Sequence, residues 1–281
     1  MTVRLSTPAD VPALRALWEL AFGDGGAYLD NFFDSYYRPE RMIVLEEAGL
    51  VRAMTAWFDT TFVVPGMGEY RAAYLYAVAT HPDCRGRGLA GQLLTWAGDY
   101  FRSLNIPAVT TVPAEPSLHN FFGANGFREC FCHDELTAEC ERQISAPFAL
   151  DALSPKFYGE LREAMLMGTP HVSFPQDAIA YQAGCCRVSG GGLYAADTGH
   201  GVALLCAEGM ANGRLLIKEL LGQPDACEAL LKYLPVLLPE FSGTYRIPGK
   251  NIPFGMLKWL DKSIENQWNW ENLGYLGLAF D

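Results

Sequence analysis

The chain has 281 residues, of which 50% are hydrophobic and 19% are charged. This length is too great for one typical domain, and this composition excludes a disordered chain or a coiled coil. The formal net charge of −11 would repel phosphate backbones and anionic lipid surfaces, so we expect neither nucleic acid nor a membrane as a partner. No cationic start followed by an apolar run opens the chain, and we expect a cytoplasmic protein.

The 8 cysteines do not form the dense framework of a small secreted domain. Cys130 and Cys132 are separated by one residue and Cys185 and Cys186 are adjacent. Structural zinc sites use pairs that are roughly two to four residues apart. Because alternate residues of a strand face the same side, we expect Cys130 and Cys132 to be buried thiols, and we expect no metal site.

Helix signals open the first half of the chain. Thr7 is suited to an N-cap, Pro8 to the first helical position and Asp10 to the first turn, and the helix that they begin ends before Gly23. A second helix is expected near residues 28–37. The sequence thus predicts two helices in succession after a short first strand.

From Met42 onward, the hydrophobic period changes to two. This period predicts two strands around residues 46–49 and a third strand over residues 69–80, which should pair antiparallel. The remaining elements predicted for the first half are a helix after Gly88, a strand at 108–112, a short helix at 117–124 and a strand at 127–132.

The composition changes near residue 150, because every lysine of the chain lies beyond that point. We therefore predict two domains, 1–149 and 150–281. The second is expected to be mainly β, with Asn212-Gly213 typical of a type I′ hairpin turn. Its predicted elements are helices near 155–167 and 225–234 and strands at 193–197, 202–207, 214–220, 244–247, 256–260 and 273–280.

The residues with the clearest chemistry lie between the third strand and the next helix, in the segment Arg85–Gly91. The first N–H groups of a helix have no intrahelical acceptor and lie at the positive end of its dipole, so they can hold a phosphate. Gly86 and Gly88 leave room for that phosphate, and the two arginines add positive charge. A pyrophosphate is the ligand that this segment favours.

Two interpretations of this segment compete. Residues 86–91 satisfy the G-x-G-x-x-G pattern of nicotinamide dinucleotide sites. That pattern requires its first glycine directly at the end of a strand in an alternating parallel series. Here residues 81–85 intervene, and the strands before them are expected to be antiparallel, so the NAD interpretation is the weaker one.

The alternative interpretation rests on three linked features. Arg85, Gly88 and Ala90 match Q/R-x-x-G-x-G/A, and this stretch resembles motif A of the GNAT acetyltransferases. Residues 78–82 resemble that family's strand end, and residues 121–127 resemble its closing helix and Gly-Phe turn. The resemblance implies an α/β (α+β) fold with a mixed central sheet flanked by helices. The length resembles two-domain members, such as the enhanced intracellular survival acetyltransferases, whose second, smaller and sheet-rich GNAT-like domain is degenerate.

The resemblance also implies acetyl-CoA as the co-substrate. Its pantetheine would pair like an added strand along Val78, Ala79 and Thr80, and an N–H near Val78 or Ala79 would polarise the thioester carbonyl. The residues expected to hold the pyrophosphate are Arg85, Gly86, Arg87, Gly88, Ala90 and Gly91.

The family's acid–base residues are not retained. Its tyrosine proton donor falls on Phe122, its frequent asparagine on Glu115, and the strand glutamate of its histone-type members on Tyr74. The candidate catalytic residues are therefore Tyr74, Glu115 and His119. The resemblance implies an N-acetyltransferase that acts on a small-molecule or peptide amine, and the acidity of the chain favours a cationic one. The alternative is a non-catalytic acyl-CoA sensor or interaction protein, since Phe122 has no proton to donate.

Overall fold

The computed structural model describes residues 1–138 and 145–280. These residues form two compact units, one made of Met1–Cys130 with Phe254–Asn272 and one made of Phe131–Pro253 with Leu273–Phe280. The first unit thus includes a strand from near the end of the chain. The division of the sequence into two domains, 1–149 and 150–281, remains a prediction.

The elements follow the predicted order in the first half. They are β1 (Thr2–Leu5), α1 (Val11–Phe22), α2 (Ala27–Asn31), β2 (Met42–Glu47), β3 (Leu50–Val64), β4 (Gly68–Thr80), α3 (Leu89–Ser103), β5 (Ala108–Thr111), α4 (Pro116–Ala124) and β6 (Arg128–Thr137). The later elements are β7 (Asp151–Ala152), α5 (Pro155–Met165), β8 (His171–Ser173), α6 (Gln176–Val188), β9 (Gly192–Asp197), β10 (Val202–Gly209), β11 (Leu215–Leu221), α7 (Pro224–Leu237), β12 (Phe241–Pro248), β13 (Ile252–Trp259) and α8 (Lys262–Glu265).

The sheet of the first unit has the order β1-β2-β3-β4-β5-β13. The pairs β1/β2, β2/β3, β3/β4 and β5/β13 are antiparallel, whereas β4 and β5 are parallel and connected through α3. Helix α3 covers one face of this sheet, and Leu93 and Phe101 pack there with Leu75 and Val109. The mixed sheet and the antiparallel pairing of β2, β3 and β4 confirm the predicted fold class.

The start of α1 is held by a small polar cluster. Thr7 donates from its backbone N and its hydroxyl to Asp10 Oδ2, at 2.7 and 2.8 Å, and Arg4 donates to both carboxylate oxygens. The hydrogen bond from Arg4 is the main reason why the pKa of Asp10 is lowered from 3.8 to about 2. Since the folded-state pKa is lowered, this stabilisation is complete above pH 3.8 and is lost as the pH falls through about 2.

We expect Asp10→Asn to lower the free energy of unfolding at pH 7 by about 1 kcal/mol, because it removes the negative charge that pairs with Arg4 and accepts from Thr7. The difference from the parent protein should shrink as the pH approaches the folded-state pKa of about 2. Urea unfolding over a pH series measures this. Asp30→Asn is the control, because Asp30 forms an exposed ion pair with Arg15. Equal losses in the two variants at pH 7 would contradict the assignment.

The second unit repeats part of the topology of the first. Strands β9, β10 and β11 pair antiparallel in succession, and α7 then leads to β12, which is parallel to β11. The same succession, β2-β3-β4-α3-β5, builds the first unit. Only Gly222 and Gln223 separate β11 from α7, and Pro224 and Asp225 occupy its first positions. The second unit therefore resembles the first, but the two residues between β11 and α7 do not form a phosphate-binding loop like the one before α3.

Two predictions for the second half are wrong. The sequence predicts no helix over residues 176–188, where the structure has α6. The buried face of α6 includes Gln182 and Gly184, so the sequence shows no continuous apolar stripe. The sequence also predicts a strand over residues 273–280. They instead make isolated bridges, in which Gly274 pairs with Phe131 and Tyr275 with His171.

A buried ion pair holds this C-terminal stretch in the second unit. Arg162 Nε donates to Glu219 at 3.0 and 3.1 Å, and both side chains are fully buried. The other guanidinium nitrogens donate to the carbonyls of Val172 and Leu276, at 2.8 and 3.0 Å. Tyr158 donates to Glu219 at 2.7 Å. The polar groups of this cluster thus satisfy one another inside the core.

Cys130 and Cys132 are buried, as predicted, and so are Cys185 and Cys186. Cys140 lies outside the described residues.

Across residues 1–138 and 145–280, none of the helices has the length and apolar composition needed to cross a lipid bilayer.

Candidate active site

Strand β4 departs from β5 at a bulge. The two strands pair from Ala72 with Ala108 to Leu75 with Thr111. Beyond Leu75, β4 continues to Thr80 with no strand of the described residues paired on that side. The register with β3 shifts in the same stretch, and Ala77 adopts a left-handed conformation with φ of 52°. An extra residue bends a strand and increases its twist. The bulge therefore opens the edge of β4 next to Val78, Ala79 and Thr80.

The loop that follows β4 has the conformation of an anion site. Gly86 and Gly88 both lie in the left-handed region, with φ of 74° and 73°. A Cβ at either position would meet no atom within 4 Å, so their open side faces free space. The first hydrogen bond of α3 runs from Gln92 N to Gly88 O. The amides of Leu89, Ala90 and Gly91 therefore have no acceptor inside the helix.

The two loop arginines are placed differently. The backbone N of Arg85 donates to Pro82 O at 3.2 Å, and its Nε reaches Thr80 O at 3.4 Å, which leaves the rest of its guanidinium exposed. Arg87 instead donates through both terminal nitrogens to Glu47, at 2.7 and 3.0 Å. Among the cations of this loop, the Arg85 side chain is thus the more available one.

Two buried polar atoms lie near the end of β4. Thr80 Oγ1 and Arg52 Nε are buried, and neither has a hydrogen-bond partner within the described residues. Buried polar atoms normally have partners, so an unpartnered one requires a reason. The Thr80 hydroxyl lies at the end of the open β4 edge, where an extended ligand followed by a pyrophosphate would supply a partner.

The structure separates the three candidate catalytic residues. Tyr74 is only 1% exposed and its ring lies 6.0 Å from that of Phe58, within an aromatic cluster. Glu115 is exposed and precedes the first residue of α4, where its carboxylate accepts from Ser117 Oγ at 3.4 Å. The third, His119, lies in the first turns of α4. Tyr74 is thus enclosed, whereas the other two follow the carboxyl end of β5.

His119 has a partner that the sequence did not indicate. Its Nδ1 lies 2.7 Å from Glu129 Oε1 at the start of β6. A carboxylate can only accept, so the neutral ring carries its proton on Nδ1 and keeps a lone pair on Nε2. The His119 side chain is 24% exposed. A histidine oriented in this way by a carboxylate can accept a proton from a bound amine.

Phe122, at the position of the family's tyrosine, is 4% exposed and packs in the core beneath α3. Its ring lies 5.5 Å from Phe127 of the Gly-Phe turn. The residue at this position therefore contributes packing and offers no proton.

Sequence reasoning missed two acidic residues of this region, Glu47 and Glu129. Glu47 lies 40 residues before its partner Arg87, and Glu129 lies 10 residues after its partner His119. No local motif marks either glutamate. Only the pairing of β2 with β3 and the return of the chain from α4 into β6 bring them into place.

The nicotinamide interpretation of the glycine loop finds no support in this geometry. A dinucleotide site of that kind follows the first strand of a parallel β-α-β series. The strands β2, β3 and β4 are antiparallel, and a 3-10 turn at Pro82–Cys84 separates β4 from the glycines.

Comparison with known proteins agrees with the glycine loop and with the strand order. Residues 2–126 match the family model of the acetyltransferase (GNAT) domain. Among curated proteins, none is similar enough in sequence to match the chain. The solved structures with a similar fold include several acetyltransferases.

Eis1 from Mycobacterium abscessus is 14% identical with a TM-score of 0.64, covering 93% of this chain and 74% of that one. A GCN5-related N-acetyltransferase from Anabaena variabilis is 16% identical with a TM-score of 0.63, covering 92% and 73%. A putative acetyltransferase from Pyrococcus horikoshii is 12% identical with a TM-score of 0.57, covering 99% and 95%. Residues 2–126 thus match the model of the GNAT domain, and more than nine-tenths of the chain shares its fold with these solved proteins.

Proposed function

We propose that the protein transfers an acetyl group from acetyl-CoA to a primary amine. The observation that carries this proposal is that the open edge of β4 leads directly into a glycine loop, whose helix amides have no acceptor inside α3. The edge offers peptide groups to pantetheine from Val78 to Thr80, and the loop offers the amides of Gly86 to Gly91 to the pyrophosphate.

The transfer needs few groups from the protein. The amine attacks the thioester carbonyl, and the carbonyl oxygen gains negative charge in a tetrahedral intermediate. A backbone N–H near Val78 or Ala79 would donate to that oxygen, and collapse of the intermediate breaks the C–S bond and releases the CoA thiolate. The amine must lose a proton, and the thiolate then takes one up.

Of the candidates for proton transfer, His119 has the most suitable environment. It follows β5 in α4, and the carboxyl ends of the parallel strands β4 and β5 lie at the same edge of the sheet. Its Nε2 is free because Nδ1 is bound to Glu129. Glu115, exposed at the start of α4, is the second candidate, and Tyr74 is too enclosed to meet an acceptor in this conformation.

We expect His119→Gln to lower kcat by about 100-fold, a typical contribution of one general base, with little change in KM for acetyl-CoA. Glu129→Gln should lower kcat less, because the ring stays in place but loses its anionic partner. Steady-state release of CoA thiol measures both effects. His200→Gln, in an exposed loop, is the control. Full activity of the His119 variant over the whole pH range would exclude this histidine.

An amine screen tests the proposed function itself. Acetyl-CoA is mixed with polyamines, aminoglycosides, amino acids and peptides with free amino termini, and thiol release is followed in each mixture. Saturating kinetics with at least one amine support the transferase. The buried Phe122 in place of a proton donor favours the second candidate function, a sensor of acyl-CoA. Tight binding of acetyl-CoA without turnover of any amine would support the sensor.

A further inference from the structure

The loop arginine Arg87 is held by an ion pair with Glu47. Its guanidinium donates to both carboxylate oxygens of Glu47 through separate nitrogens, at 2.7 and 3.0 Å. Its Nη1 also donates to Cys84 Sγ at 3.6 Å. Two parallel N–H···O bonds are the arrangement that guanidinium groups also form with phosphate oxygens. The Glu47 carboxylate thus occupies the position on Arg87 that a phosphate would take.

Glu47 lies at the end of a tight hairpin. It is the last residue of β2, and it pairs with Leu50, the first residue of β3. The two residues between them, Ala48 and Gly49, both have left-handed backbones, with φ of 52° and 77°. Positive φ at both central positions is typical of the tight type I′ turn. The turn sets the backbone position of Glu47, from which its side chain reaches Arg87.

The pair is open to exchange. The side chains of Arg87 and Glu47 are 46% and 31% exposed, and ion pairs this exposed contribute little to stability. A phosphate carries more charge than a carboxylate and would compete well for the guanidinium. The Arg87 pair lowers the pKa of Glu47, so this carboxylate is charged at neutral pH.

Glu47 would not be left without a cation after such an exchange. The positive charge of Arg52 acts on Glu47, and Arg52 Nε is buried without a partner within the described residues. Arg52 lies on β3, two residues after Leu50. Its field can therefore compensate Glu47 while Arg87 turns to the ligand.

We propose that Glu47 is the resting counter-ion of Arg87, and that a phosphate group of CoA replaces the Glu47 carboxylate on Arg87 when it binds. This inference rests on the proposed function, because it presumes CoA at the glycine loop. Glu47 then determines how tightly CoA is held. Because Glu47 can pair with Arg87 again, it also favours release of CoA after transfer.

The test measures the Kd of CoA by titration calorimetry at low ionic strength in the parent protein, Glu47→Gln, Arg87→Gln and the double variant. Competition for Arg87 predicts that Glu47→Gln binds CoA about two- to fivefold more tightly, the range expected from one exposed ion pair. Arg87→Gln should bind CoA more weakly. The Glu47 substitution should have no further effect in the double variant.

Glu46→Gln is the matched control, because Glu46 is the neighbouring glutamate and forms an ion pair with Arg4 instead. An equal gain in the Glu46 variant would show a general charge effect and overturn the inference. Weaker or unchanged binding in Glu47→Gln would overturn it as well, since a carboxylate that merely braces the loop gives that result. Failure of the parent protein to bind CoA would instead refute the proposed function, and this inference with it.

Dephospho-CoA distinguishes the two phosphate sources. If Arg87 turns to the pyrophosphate, the gain in Glu47→Gln persists with dephospho-CoA. If it turns to the 3′-phosphate, the gain disappears. Either result supports the exchange and identifies the group that drives it.

Discussion

Gly88→Asp is expected to weaken binding of acetyl-CoA by about 100-fold or more. The new carboxylate would lie where the phosphates approach the first turn of α3, and two like charges about 4 Å apart near a protein surface repel by about 4 kcal/mol. The fold should survive, because a Cβ at Gly88 meets no atom within 4 Å and aspartate tolerates a φ of 73° better than most residues. Titration calorimetry measures affinity, and thermal unfolding measures stability.

Two controls separate charge from shape in this experiment. Gly88→Asn adds a side chain of the same size without the charge, so it should keep more affinity than Gly88→Asp. Gly23→Asp places the same residue at another left-handed position with open surroundings, at the end of α1, and should leave the affinity unchanged. Parent-like binding of acetyl-CoA by Gly88→Asp would refute the placement of the pyrophosphate.

Arg162→Met is expected to lower the free energy of unfolding by about 3–5 kcal/mol, because it leaves a buried carboxylate without its cation. Arg162 and Glu219 are both fully buried, and Arg162 also bonds the carbonyls of Val172 and Leu276. Methionine keeps much of the volume, so the loss reports the charge and the hydrogen bonds. Urea unfolding followed by circular dichroism measures the change.

Arg187→Met is the control, because Arg187 is exposed in the last turn of α6 and should change stability by less than about 0.5 kcal/mol. The combined Arg162→Met and Glu219→Leu variant removes both charges, so it should be more stable than the Arg162 variant alone. A loss in Arg162→Met no larger than that of the control would contradict the role given to this ion pair.

Local signals predicted most elements of the first unit. The period-two stretches from Met42 to Thr80 became β2, β3 and β4, and the apolar stripe after Gly88 became α3. The sequence failed where long-range packing decides the structure. The buried face of helix α6 includes Gln182 and Gly184, so the helix lacks a continuous apolar stripe. Strand β13 pairs with β5, which lies far away in the chain.

The candidate site was likewise predictable only in its local features. The positions of the glycine loop and the end of β4 could be predicted, because a phosphate-binding helix start has a local pattern. The partners of its charged side chains could not. Glu47 reaches Arg87 through a hairpin, and Glu129 reaches His119 through the turn between α4 and β6, and neither contact has a sequence signature.

The most direct test of the central claim is titration calorimetry of the parent protein with acetyl-CoA and, in parallel, with NADH. The glycine loop and the open β4 edge predict micromolar binding of acetyl-CoA, a free energy of roughly −8 kcal/mol, and no binding of NADH. Binding of NADH alone would restore the dinucleotide interpretation. Binding of neither compound would contradict the account, because the loop would then serve only the fold.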